Sequence, residues 1–210
     1  MNFNKMDIET FCSLLGSSAP VPGGGAAIAL QGVTAVALTM MVCNLTIGKK
    51  QYAESEELAI ECRQKSQELQ ERFLNLIKED AEAFHIVASA YKLPKNTEEE
   101  KEHRLNAIQN GTMEAVKPPM KIMESAYDLL KITDKLTGKS NPNVISDLGV
   151  AVITLRSVAE SGWMNVLINI KSMKDKNIAD EYAQKGEKLL KQIQELSVKI
   201  ESKITSQIAI

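Results

Sequence analysis

From Thr10 to Gly48 the chain carries no charged side chain, and within that run Pro20-Val21-Pro22-Gly23-Gly24-Gly25 opens a long apolar stretch. Few folds accommodate such a segment. A helix that is hydrophobic nearly all round has no face suited to water, so it must be buried in a protein core or in a membrane. Ala26–Val42 falls short of the ~20 apolar residues that a spanning helix needs, and Gln31, Gly32, Thr34 and Thr39 interrupt it. The segment is therefore expected to be the central, fully surrounded helix of a bundle, and no membrane partner is expected.

The remaining sequence reads as helix, with no convincing strand. Asp7 suits the N-cap of a short helix over Ile8–Leu15 that stops at Gly16. The glycine turn leads into a helix from Ala26 to Ile47, closed by Gly48. No glycine or proline occurs between Lys49 and Leu93, which predicts a helix over Gln51–Tyr91. Such a length overshoots a compact domain, so its ends should meet other helices or a second subunit. Thr97-Glu98-Glu99-Glu100 is a capping-box sequence. Pro118-Pro119 should kink the helix that follows or restart it as a new first turn. After the Gly138–Asn143 loop come a second mostly apolar helix, Ser146–Met173, and an amphipathic one, Ile178–Ser206. The expected fold is all-α: one helical-bundle domain over residues 1–210 with long antiparallel helices, in which residues 170–210 form a packing or dimer helix.

Composition narrows the function. A hydrophobic content of 44% with 25% charged residues is that of a globular chain. A formal charge of −2 and an aromatic content of only 4% argue against a nucleic-acid partner, which calls for basic stripes or stacking platforms. Asp7 and Glu9 interrupt the first residues, so no secretory signal is read there and a cytoplasmic location is expected. Cys12, Cys43 and Cys62 form no Cys-x-x-Cys pair, and His85 and His103 are the only histidines. The cysteines read as buried free thiols, and no metal site is expected.

Three features could carry chemistry. Asp80 falls on the stripe of Phe73, Leu76, Ile77, Phe84, Val87 and Tyr91 rather than with Glu79 and Glu82. A carboxylate there must be paired, hydrogen-bonded, or raised in pKa; it is either a structural group or an acid/base. Asp147, Ala151, Thr154, Val158, Gly162, Asn165 and Asn169 form a small, polar stripe that is either tight helix packing or a pocket wall. Gly23–Gly25 free backbone N–H groups at a helix start, where the dipole favours an anion. Lys49 and Lys50 end the uncharged run and either meet ligand carboxylates or stand in solvent.

Read together, Pro20-Val21-Pro22-Gly23-Gly24-Gly25, Asn44-Leu45-Thr46-Ile47-Gly48-Lys49-Lys50-Gln51-Tyr52, Asp80-Ala81-Glu82-Ala83-Phe84, Leu93–Lys101, Asn141-Pro142-Asn143-Val144-Ile145-Ser146-Asp147 and Asn165–Asn169 resemble the cyclodeaminase/cyclohydrolase family. That family includes the C-terminal domain of formiminotransferase-cyclodeaminase and stand-alone methenyltetrahydrofolate cyclohydrolases. The resemblance implies an all-α homodimer with a pocket for a tetrahydrofolate derivative, which is substrate rather than cofactor. It further implies hydrolysis of 5,10-methenyltetrahydrofolate to 10-formyltetrahydrofolate, or release of ammonia from formimidoyltetrahydrofolate. A non-catalytic folate-binding or assembly protein on the same fold is the alternative of another class. Asp80 would shuttle the proton, and Asp147 would assist or bind the pterin. Asn44, Asn143 and Asn165 would orient the substrate, and Lys49 and Lys50 would meet its glutamyl carboxylates. Pro22, Gly23, Gly24, Gly25 and Ser146 would complete the binding surface. Nothing in the chain resembles the transferase domain, so that activity would belong to another polypeptide.

Overall fold

Helix α1 (Ile8–Leu15) begins where the backbone N–H of Thr10 donates to the Asp7 carboxylate at 2.7 Å, the expected N-cap. The computed structural model describes residues 2–208, and in them finds seven α-helices, three short 3-10 turns and no strand. Helix α2 (Gly24–Asn44) starts two residues ahead of the expected Ala26, because Gly24 and Gly25 are already helical and the extended Gly23 is the cap. It also stops early, at Asn44. Residues 45–48 close as a turn, and Gly48 then reverses the chain with φ of 74°, a conformation that favours glycine.

The expected helix over Gln51–Tyr91 is shorter at its front. Residues Lys50–Ser55 form a 3-10 turn with Tyr52 off helical geometry, its hydroxyl tied to Asn141 at 2.9 Å, and α3 runs Glu56–Tyr91. Helix α4 (Glu98–Ala115) carries the full Thr97/Glu100 capping box. The proline pair restarts rather than kinks: α5 (Lys117–Leu136) places Pro118 and Pro119 in its first turn, where missing N–H groups cost nothing. Helices α6 (Ile145–Lys171) and α7 (Lys176–Ile208) follow.

Helix α2 lies between α3 and α6, α6 also packs on α5 and α7, and α3 is braced by α4 and α5. Phe73, Leu129, Leu148, Leu155 and Ile193 are among the side chains sealed at the centre. A methyl group on Gly32 would overlap the Phe73 ring, so the close approach of α2 to α3 requires that glycine. The amphipathic stripe of α7, including Ile193, Ile200 and Ile204, is buried in its own chain against α6 and α5.

Three expectations need correction. Helix α2 is not surrounded: Gln31, Thr34, Ala37 and Asn44 are exposed, because α3 and α6 cover two sides, α5 touches it more lightly, and no described residue covers the rest. Cys12 is exposed on the outer side of α1, whereas Cys43 and Cys62 are buried and burial pushes the Cys43 thiol up to about 12. The aromatic wall expected along α3 thins beyond Asp80, where Phe84 is 42% and Tyr91 55% exposed. Tyr91 instead lies beneath the Arg104 guanidinium, 5.4 Å from its ring centre.

Candidate active site

The N-terminus of α2, the C-terminal third of α3 and the C-terminal half of α6 converge on a cavity of about 360 Å³. Gly23–Gly25 form one wall, Ala83, Phe84 and Val87 a second, and Asn165, Ile168 and Asn169 a third, with Asp80 between them. The volume lies within the range of small-molecule pockets.

Asp80 is half-buried and lies so close over the backbone of Gly25 that a side chain there would overlap its carboxyl group. Loss of water raises its pKa to about 6, opposed by a hydrogen bond from the Ala26 N–H. A side chain with no cation beside it thus holds a proton loosely near neutral pH, the condition a proton shuttle needs. The first turn of α2 contributes further N–H groups that no helical carbonyl can satisfy.

The α6 wall is polar by design of its hydrogen bonds. Asn165 donates from Nδ2 to the Ser161 carbonyl at 3.0 Å, and its Oδ1 lies 3.6 Å from where a side chain on Gly24 would begin. Asn169 donates to the carbonyls of Asn165 and Ala115 at 2.7 and 3.2 Å, which ties α6 to the end of α4. In the sequence Asn169 belongs to the polar stripe and closes the Asn165–Asn169 motif; what singles it out in the fold is the carbonyl of Ala115, far away in the chain. Among the described residues that line the cavity there is no lysine, arginine or histidine.

Asp80, Gly23, Gly24, Gly25 and Asn165 are therefore brought together, with Pro22 buried immediately behind them. The other candidates are not. Asn44 closes the far end of α2, about 30 Å from Gly24 by helical rise. Asp147 stands in the first turn of α6, about 27 Å from Asn165 by the same rise. Asn44, Lys49, Lys50, Asn143, Ser146 and Asp147 thus form a second group at the opposite end of the bundle. There Arg63 reaches the Asn44 side chain at 3.4 Å, and Lys50 borders a polar cavity of about 520 Å³ with Tyr52 and Lys139. Asn143 is exposed and gives only its backbone N–H to Asn141. Asn141 is the organising residue, since its side chain accepts from Tyr52 and from the Asn143 N–H and donates to the Leu45 carbonyl.

Several known proteins are similar to this chain in sequence or fold. The family model described as formiminotransferase-cyclodeaminase matches residues 7–188. The chain is 40% identical to a methenyltetrahydrofolate cyclohydrolase of Methylorubrum extorquens, over 96% of this chain and 97% of the other. It is 32% identical to the formimidoyltransferase-cyclodeaminase of Rattus norvegicus, over 80% of this chain but 31% of that larger protein. Its fold is similar to the crystal structure of a formiminotetrahydrofolate cyclodeaminase from Thermotoga maritima, with a TM-score of 0.88, 29% identity and 98% coverage of both chains.

Proposed function

The chain belongs to the formiminotransferase-cyclodeaminase family, and on that premise we propose that it is the enzyme that hydrolyses 5,10-methenyltetrahydrofolate to 10-formyltetrahydrofolate. The observation that carries the reading is the Asp80 carboxyl poised near pKa 6 over Gly25. The methenyl group bridges N5 and N10 as an amidinium cation. A cavity whose ionisable side chain is one carboxyl, with no competing cation, complements that charge.

In the reaction, water attacks the methenyl carbon as Asp80 takes its proton. The tetrahedral carbon then loses the proton of its hydroxyl and expels N5, which is protonated as it leaves. The carbon stays on N10 as a formyl group, and one proton is released overall. A single positioned carboxylate can serve both transfers, for a gain of typically ~10²–10⁴-fold. No resident cofactor takes part in this scheme; the tetrahydrofolate derivative is substrate.

The cyclodeaminase reaction is the second reading, favoured by the named activities of the rat and Thermotoga relatives. There N10 would attack the formimino carbon, and ammonia would leave with the proton Asp80 supplies. The match over the full length of a stand-alone cyclohydrolase places hydrolysis first. Purified protein given both substrates in parallel tests the order: loss of methenyl absorbance with formyl product is expected, whereas ammonia release alone would reverse it.

The proposal extends to a homodimer in the cytoplasm. Within α2 no residue is charged, and α6 exposes Val150, Ile153, Met164 and Ile168, the last two 71% and 62% exposed. A second copy laid antiparallel on them would cover the side of α2 that its own chain leaves open. The two residue groups are separated by nearly the same length along α2 and α6, so the two-fold axis would set Asn44, Lys49, Lys50 and Asp147 of one copy beside Asp80 of the other. Lys49 and Lys50 would then meet the glutamyl tail.

A further inference from the structure

We infer that Asn169 reads the 2-amino edge of the pterin ring, selecting substrates by an acceptor oxygen held in place by two backbone carbonyls. The inference rests on the folate reading above and assigns the part of the substrate that the α6 wall binds.

An asparagine amide has two N–H donors and one acceptor oxygen. In Asn169 both donors are committed, one to the Asn165 carbonyl at 2.7 Å and one to the Ala115 carbonyl at 3.2 Å. Because carbonyl oxygens only accept, these contacts fix which end of the amide is nitrogen. The oxygen is left as the free end of a half-buried side chain that lines the cavity. Asn165 repeats the device with one donor committed to Ser161. The polar side chains of the cavity are Asp80, Asn165 and Asn169, so its side-chain chemistry is dominated by acceptors.

A ligand that fits must bring N–H groups to the α6 wall. The pyrimidinone ring of a reduced pterin presents a 2-amino group beside N3–H, two adjacent donors followed by the O4 acceptor. The unsatisfied N–H groups at the start of α2 face the same cavity and suit an acceptor. Donors on α2 and acceptors on α6 therefore match the alternation along that ring edge. Asp147, the other carboxylate considered for the pterin, lies about 33 Å from Asn169 along α6 in the same chain.

Calorimetry with tetrahydrofolate and with its 2-desamino-2-methyl counterpart tests this without relying on turnover. The wild-type protein should bind the amino compound roughly ten- to a hundredfold tighter, the range for one hydrogen bond in a buried site. Asn169→Ala should lose most of that preference by weakening the amino compound, with little change for the desamino one. Equal weakening of both ligands would show a merely structural role and overturn the inference. Equal affinity of the wild-type protein for the two ligands would overturn it without any variant. Failure of the wild-type protein to bind either ligand would instead remove the folate reading and this inference with it.

Discussion

Asp80 works at a cost in stability that can be measured. Its pKa is about 6 in the folded chain against an ordinary aspartate value of 3.8, so the folded state binds the proton more tightly than the unfolded one. Its favourable contribution is complete below the unfolded pKa and is lost as pH rises through about 6. Asp80→Asn should therefore raise stability at pH 7.5 by about 1–2 kcal/mol, an amount discounted for the partial exposure of the group, with the gain gone near pH 4. Turnover should fall by orders of magnitude in the same variant. Denaturant midpoints at the two pH values, measured beside kcat, check both; unchanged kcat would remove Asp80 from the chemistry. Wild-type kcat/KM should rise with pH through a limb near 6. Gly25→Ala probes the same contact from the other side. Its methyl would displace the carboxyl, whereas a side chain on Gly23 meets nothing within 4 Å, so the kcat loss should be far larger at position 25. Asp80 could be found in the sequence because helical periodicity sets it among apolar residues. Asn169 stands in the polar stripe, but which end of its amide faces the cavity is not legible there, because that orientation depends on a carbonyl from α4.

At the scale of elements, the parts that read correctly were those with local causes. Asp7 and the Thr97/Glu100 box start their helices through contacts three residues away, whereas the helix expected to run to Gly48 already ends at Asn44, with Gly48 reversing the chain after a turn. The front of α3 misread because its cause is distant: Tyr52 is held out of helical geometry while bonded to Asn141, 89 residues on. Asn141 joins that turn to the loop before α6 through Tyr52, Leu45 and the Asn143 N–H, and its own N–H donates to the Thr46 hydroxyl at 3.0 Å. Asn141→Ala should therefore cost about 1–3 kcal/mol, and Tyr52→Phe, which loses one bond, about 0.5–1.5 kcal/mol. Chemical denaturation of both variants gives the comparison. Equal costs would show that Asn141 acts through Tyr52 alone.

For the whole molecule, a run of uncharged sequence says that a helix is covered but not by which chain, which is why α2 reads as enclosed. The order of motifs likewise carries no distances, so two ends of a bundle read as one site. If a second copy supplies the missing side, every site combines Asp80 from one chain with the Lys50 and Asp147 end of its partner. Asp80→Asn and a Lys50→Ala, Asp147→Asn double variant should each be nearly inactive as pure dimers. Mixed and allowed to exchange subunits, they form heterodimers in which one site carries all the lesions and the other carries none. At equal proportions about half the molecules are heterodimers, by random pairing of equivalent subunits. Activity should then climb from near zero to roughly a quarter of the wild-type value per site, at a rate set by subunit exchange. A site built within one chain gives no recovery at any mixing time. Charge placed on the shared face, as in Thr34→Glu, should separate the subunits in sedimentation and remove activity while leaving helicity intact. A fully active monomer would refute the shared site.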